Sequence, residues 1–255
     1  MKRILGRGEP FRKEILRESL AVWPRTPMVF AARGIIFAGA DTLYDDSLWL
    51  RWLHVQLRRK IAINTFEEVR YAWDEVSDDL WTGRATSGEA LLAMLQSLGV
   101  PRMLCSELGA AAQTRRGRLF QESRPLAGVR QAIAQFARQG LALGVLANSE
   151  VSGEQLKGWL HSHGLSQFQS VVTSQDLGTA KPHAAAYLQA VLRLRLKIDD
   201  VIYVGSRERE LAGAESVGLR AIACPARARS GRLWVNSLIE LTSHVTLRRL
   251  WTQAG

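Results

Sequence analysis

The sequence predicts an α/β protein, a doubly wound parallel sheet interrupted once by an all-helical insertion. Three observations predict it. After about residue 122, short apolar runs of strand length alternate with helical patterns, the order that produces parallel strands joined by crossover helices. Between the first such run and the second, from Ser47 to about Gln121, apolar residues recur at helical spacing. Gly140 and Gly164 stand where helices end, one just ahead of a strand-like run. With 255 residues, 47% of them hydrophobic, the chain can bury the core of one large domain carrying an insertion.

In chain order, Met1 to Pro27 precedes the first sheet strand. Within it Phe11 to Val22 reads as an amphipathic helix: Phe11, Ile15 and Leu16 form a stripe extended by Leu20 and Trp23, with Lys13, Arg17 and Glu18 elsewhere and Pro24 and Pro27 closing it. Such a helix is expected to pack on the protein's own sheet; the sharper alternative is docking to a partner or an anionic surface. Gly34 to Ala38 is an apolar strand running into a turn that reaches Asp45. Leu48, Trp49, Trp52, Leu53, Val55 and Leu57 then mark a helix, and Thr65 with Glu68 and Thr86 with Glu89 give capping-box starts for two more. Gly99 ends the second of these and Pro101 opens the approach to the next. Trp49, Trp52, Trp73 and Trp81 are expected to fill the interior of this insertion rather than stack on a ligand.

Beyond the insertion, the strands are expected at Leu141 to Ala147, Gln169 to Thr173, Val201 to Gly205 and Arg220 to Cys224. Ser152 with Gln155 caps an intervening helix, a further helix follows His183, and Trp234 to Trp251 reads as a final helix with Leu238, Ile239, Leu241, Val245 and Leu247 on its apolar side.

Four of these segments together carry a resemblance. Gly-Ile-Ile-Phe-Ala-Gly-Ala-Asp-Thr-Leu-Tyr-Asp from Gly34, the helix and strand from Arg124 to Ala147 followed by Asn148, Gly-Thr-Ala-Lys-Pro-His from Gly178, and Val-Ile-Tyr-Val-Gly from Val201 followed by Gly213-Ala214 occur in the order of the motifs of the haloacid dehalogenase superfamily, which the chain resembles over roughly residues 33 to 245. The resemblance implies a Rossmann-like core at 31–45 and 122–255, a helical cap at 46–121 that closes over small substrates, and an extension at 1–30. It places the site at the carboxyl ends of the strands, where Ala38, Ala147, Lys181 and Ser206 converge.

The same resemblance implies chemistry that these residues do not supply. Its first motif carries a nucleophilic aspartate and an acid/base aspartate; here they are Ala38 and Ala40. Its second ends in a phosphate-binding hydroxyl; here it is Ala147. Its fourth carries an acidic pair for magnesium; here Ser206 holds the first place and, with the spacing one residue shorter, Glu210 is the nearest acid to the second. Lys181 is the one active-site side chain retained. Every departure falls on a reactive or ligating position while the scaffold remains, so the expectation is a hydrolase-like fold without turnover, a pseudoenzyme acting as a binding or regulatory protein, with no cofactor. Lys181 would then be paired with Glu210 or Asp41, or would join Asn148, Ser149 and Ser206 in a pocket for a phosphate or carboxylate. One alternative is an unorthodox hydrolase in which Asp41, with Asp45 or Asp46 and Glu210, gathers a magnesium ion.

The third reading comes from charge. With 34 Lys and Arg against 24 Asp and Glu, the formal charge is +10, which attracts nucleic acid or acidic proteins. The basic clusters, such as Arg58-Arg59-Lys60 and Arg115-Arg116, are scattered and accompany no recognition motif, so a nucleic-acid accessory role is not favoured. Arg33 interrupts the longest apolar run, which excludes a spanning helix there. The amino-terminal residues lack a secretory pattern, and Cys105 and Cys224 make no metal spacing, so a cytoplasmic protein with two reduced thiols is expected.

Overall fold

The structure is a computed structural model that describes residues 29–225 and 233–247. The amphipathic helix expected at Phe11 to Val22 and the basic residues Arg227, Arg229, Arg232, Arg248 and Arg249 lie outside the described residues.

Five parallel strands form the central sheet in the order β4-β3-β2-β5-β6, where β2 is Gly34–Ala38, β3 Ala142–Ala147, β4 Ser170–Thr173, β5 Val201–Gly205 and β6 Arg220–Ala223. The middle strand is buried throughout because helices cover both faces of the sheet. Its period of two sorts the side chains: Ile35 and Phe37 join the cluster containing α5 (Val129–Arg138), whereas Ile36 and Ala38 join that of α8 (Ala184–Arg193) and α9 (Glu208–Ser216). The register Phe37↔Val204 and Ala38↔Leu146 brings the ends of three strands level.

Between β2 and α5 stand four helices, α1 Leu48–Leu57, α2 Phe66–Trp81, α3 Ser87–Ser97 and α4 Arg102–Glu122, packed around their own apolar cluster. The starts read from sequence are present in full: Thr65 and Thr86 each accept from the backbone N–H three residues on, and Glu68 and Glu89 return the bond. Ser152 and Gln155 do the same for α6 (Gly153–Ser162). A fourth box, Thr173 with Asp176, starts the single-turn α7 (Ser174–Leu177) and went unread in the sequence.

The carboxyl-terminal expectation is corrected. Instead of one helix over Trp234 to Trp251, the described part has a single turn, α10 (Leu238–Leu241), and a strand, β7 (Val245–Leu247), which pairs in parallel with β1 (Phe30–Ala32). The Phe30 amide donates to the His244 carbonyl at 2.7 Å, so the β-branched Val245-Thr246 pair meets an available edge, which outweighs its weak helical periodicity. The other strands begin or end within a residue of expectation.

Candidate functional site

After Ala38 the chain makes a tight turn over Gly39 to Tyr44. Gly39 is required there, because a Cβ would lie 2.9 Å from the Ala147 methyl and 3.1 Å from the Tyr44 hydroxyl. Asp41 takes φ +62°, a left-handed conformation that Asp tolerates, and its amide donates to the Tyr44 carbonyl at 2.8 Å. The Leu43 amide donates to Gly39 at 2.9 Å and the Thr42 amide to the same carbonyl at 3.4 Å. These backbone donors are thus engaged within the turn rather than open to an anion. Ala38 and Ala147 are buried at the ends of neighbouring strands on opposite faces of the sheet, and neither methyl can attack, accept a proton or bind a cation.

Lys181 reaches this level from the loop after α7. Its ammonium donates to Glu210 Oε2 at 2.8 Å and to the Tyr203 hydroxyl at 3.4 Å; that hydroxyl donates to Glu210 Oε2 at 3.0 Å. The Tyr187 hydroxyl donates to the Glu210 carbonyl at 2.7 Å, which fixes the first turn of α9. Burial pushes the Glu210 carboxyl upward, but the charges of Lys181 and Arg207 and the bonds from Lys181 and Tyr203 outweigh it, so the acid is held below its ordinary range and stays ionised. Burial lowers the Lys181 ammonium from its ordinary value, with Glu210 opposing that shift. Of the two anionic partners suggested by sequence, Glu210 is the one in contact.

Asn148 faces the same loop. Its side-chain amide donates to the Lys181 carbonyl and its oxygen accepts from the Lys181 amide, both at 2.9 Å, so it pins the backbone that delivers the lysine. The Ser149 amide donates to Ser174 Oγ at 3.0 Å, and Ser149 Oγ accepts from the Val151 amide at 3.2 Å. Ser206 Oγ is buried without a hydrogen-bond partner.

Arg207, which sequence reasoning passed over, joins three elements. Its guanidinium pairs with Asp41 at 3.5 Å and with Asp74 of α2 at 2.9 Å. One turn of α2 away, Asp78 pairs with Arg209 at 2.7 Å. No local signal announces these contacts, since Asp41 and Asp74 lie 166 and 133 residues from Arg207 in the chain.

A cleft of about 430 Å³ opens between the strand ends and the helices, lined among others by Tyr44, Asp46, Trp81, Arg116, Asn148 and Glu150. Arg116, read from sequence only as part of a basic cluster, sits with its guanidinium 5.4, 5.0 and 5.5 Å from the rings of Trp49, Trp73 and Trp81. It also bonds Ser87 Oγ at 3.2 Å and pairs with Glu150. These three tryptophans are buried, as expected of an interior, with the protein's own arginine among them; Trp52 is only partly buried against the cluster. Asp46 lies in the cleft, where desolvation first and the neighbouring Asp41 second push its carboxyl up to about 6.

The acids suggested as a magnesium set do not converge. Asp41 turns to Arg207, Glu210 to Lys181, and Asp45 accepts from the Ser47 amide and hydroxyl. Among the described residues no three His, Cys, Asp or Glu side chains are grouped to hold a metal ion. Magnesium needs several oxygens in near-octahedral array, and a site with methyls at positions 38 and 40 and a guanidinium between Asp41 and Asp74 does not fit it. Cys105 and Cys224 are buried and free, with burial raising the Cys224 thiol to about 12. No helix of the described residues is long and apolar enough to cross a membrane.

Two archaeal proteins named glyceraldehyde 3-phosphate phosphatase are similar to this protein: that of Methanocaldococcus jannaschii is 24% identical over 73% of this chain and 82% of its own length, and that of Methanopyrus kandleri 24% identical over 78% and 85%. The L-2-haloacid dehalogenase of Xanthobacter autotrophicus shares the fold, with a TM-score of 0.60 at 17% identity over 83% of this chain and 97% of that one. The family model for haloacid dehalogenase-like hydrolases matches residues 62–224, a span that begins after the turn carrying Ala38 and Ala40. By that match, over more than half its length, the chain belongs to the haloacid dehalogenase-like hydrolase family.

Proposed function

We propose that this chain is a non-catalytic member of its family, a binding or regulatory protein that keeps the covered cleft and has given up turnover. One observation carries the reading: at the end of the central strand, where the family resemblance implies an attacking carboxylate, stands the buried Ala38 methyl, and the lysine that would pair with that carboxylate is bonded to Glu210 instead. Removing a nucleophile of this kind costs on the order of a million-fold in turnover by analogy with other covalent catalysts. Because Lys181 already has a counterion and Asn148 holds its backbone, an internal ion pair is favoured over the phosphate or carboxylate pocket of Lys181, Asn148, Ser149 and Ser206. A magnesium-dependent hydrolase built on Asp41 and Glu210 is disfavoured for the same reason, since each acid is bonded to a cationic side chain. The cleft supports a binding role, being of ligand size and bounded by aromatic and polar side chains.

The test is steady-state hydrolysis of a generic phosphomonoester, of glyceraldehyde 3-phosphate and of 2-chloropropionate, with and without magnesium. Purified protein is expected to match a mock purification. Turnover that persists through purification and disappears in Asp41→Ala would instead establish the atypical hydrolase.

A further inference from the structure

Arg207 stands where an arginine is electrostatically disfavoured. It is the N-cap of α9, the end of a helix at which backbone N–H groups concentrate positive potential, and its side chain makes no capping hydrogen bond. Its guanidinium nevertheless turns into the site, between Asp41 of the turn after β2 and Asp74 of α2, and four carboxylates, those of Glu210, Asp74, Asp46 and Asp41, act on it together. Asp41 is 6% exposed and Glu210 8%, so these anions cannot rely on water alone. Lys181 answers Glu210; Asp41 and Asp74 are answered by Arg207.

We propose that the Arg207 guanidinium is the resident cation of this site, a covalently tethered positive charge that balances Asp41 and Asp74 and takes the place a divalent ion would need. A guanidinium offers several donors in one plane and can satisfy carboxylates from two elements at once, but it has no coordination sphere in which to activate a water or exchange a ligand for a substrate oxygen. The arrangement therefore keeps the electrostatic cohesion of an ion-centred site and omits its reactivity. The hold of the turn on α2 depends on it.

The test is thermal denaturation of the full chain, as the parent, Arg207→Met and Arg207→Lys, titrated with millimolar magnesium or calcium chloride against sodium chloride of equal ionic strength. The parent melting temperature is expected to ignore both divalent ions. Arg207→Met is expected to melt about 5 °C lower and to recover part of that loss, saturably, in either ion, while Arg207→Lys stays closer to the parent. A saturable rise in the parent, or a loss in Arg207→Met that neither ion reverses, overturns the proposal. Should Arg207→Met fail to fold, Asp41→Asn with Asp74→Asn is added to it: recovery of a folded chain identifies unbalanced charge as the fault, and continued failure overturns the proposal. The inference rests on the non-catalytic reading, yet the two fail apart, because substrate turnover bears on that reading and the melting pattern on this one.

Discussion

Lys181 and Glu210 are bonded at 2.8 Å with side chains only 3% and 11% exposed, so each is the other's condition for being charged in the interior. Removing one partner strands the other, and a stranded buried charge costs about 3–5 kcal/mol, whereas replacing both by apolar residues of similar volume is often nearly neutral. Glu210→Ala is therefore expected to lower unfolding free energy in urea by that amount. Lys181→Met with Glu210→Leu is expected to lose much less. Equal losses in the single and the double variant would show that the pair contributes by shape rather than by charge.

Asp46 sets an expectation for pH. Its folded-state pKa of about 6 lies above the ordinary 3.8, so the folded protein holds a proton that the unfolded chain has released. That contribution to stability is complete below pH about 4 and is lost as pH rises through about 6. Asp46→Asn should match the parent at the acid end and exceed it at neutral pH by on the order of 2 kcal/mol. Asp74, raised chiefly by desolvation, has the same sign and leaves a residual slope in the variant. Glu210 has the opposite sign: held low, it contributes above its ordinary 4.5 and loses that contribution only as the solution becomes more acid. Melting curves of parent and variant from acid to neutral pH read the difference; profiles that run parallel across the window contradict it.

Arg116 tests whether an arginine can serve as core. It lies within 5.5 Å of the ring centres of Trp49, Trp73 and Trp81 and pairs with Glu150 across the cleft. Desolvated cation–π contacts are each worth up to about 2 kcal/mol, while a part-exposed ion pair contributes less than about 1. Arg116→Ala is expected to destabilise by about 2–3 kcal/mol and to shift tryptophan emission; Glu150→Gln is expected to cost under about 1 kcal/mol and leave emission unchanged. The reverse ranking would move the weight of this contact from the rings to the carboxylate.

Local physics was legible in the sequence and remote pairing was not. Thr65, Thr86 and Ser152 announce helix starts because both halves of each capping box lie within three residues, and Gly99, Gly140 and Gly164 announce helix ends because their positive φ values suit glycine. Ala38, Ala40 and Ala147 were found because a motif fixed where to look. Arg207 was missed since the residues that give it meaning are far off in the chain, and Arg116 since a run of basic residues says nothing about three distant indoles. The helix expected at Trp234 to Trp251 failed in its described part for a related reason: a strand at Phe30–Ala32 needed a partner, and Val245–Leu247 supplied it. Asp41, a weak ligand candidate against the commoner turn role, is a left-handed turn residue bonded to an arginine, and the two roles share one local signature.

Asp74 and Asp78 are spaced one turn apart on α2, so they project from the same side of that helix, and each is held by an arginine planted at the root of α9. Two rivets on one rail resist rotation where a single one would act as a pivot. Access to the interior along that edge accordingly responds to ionic strength, since electrolyte weakens both fastenings together.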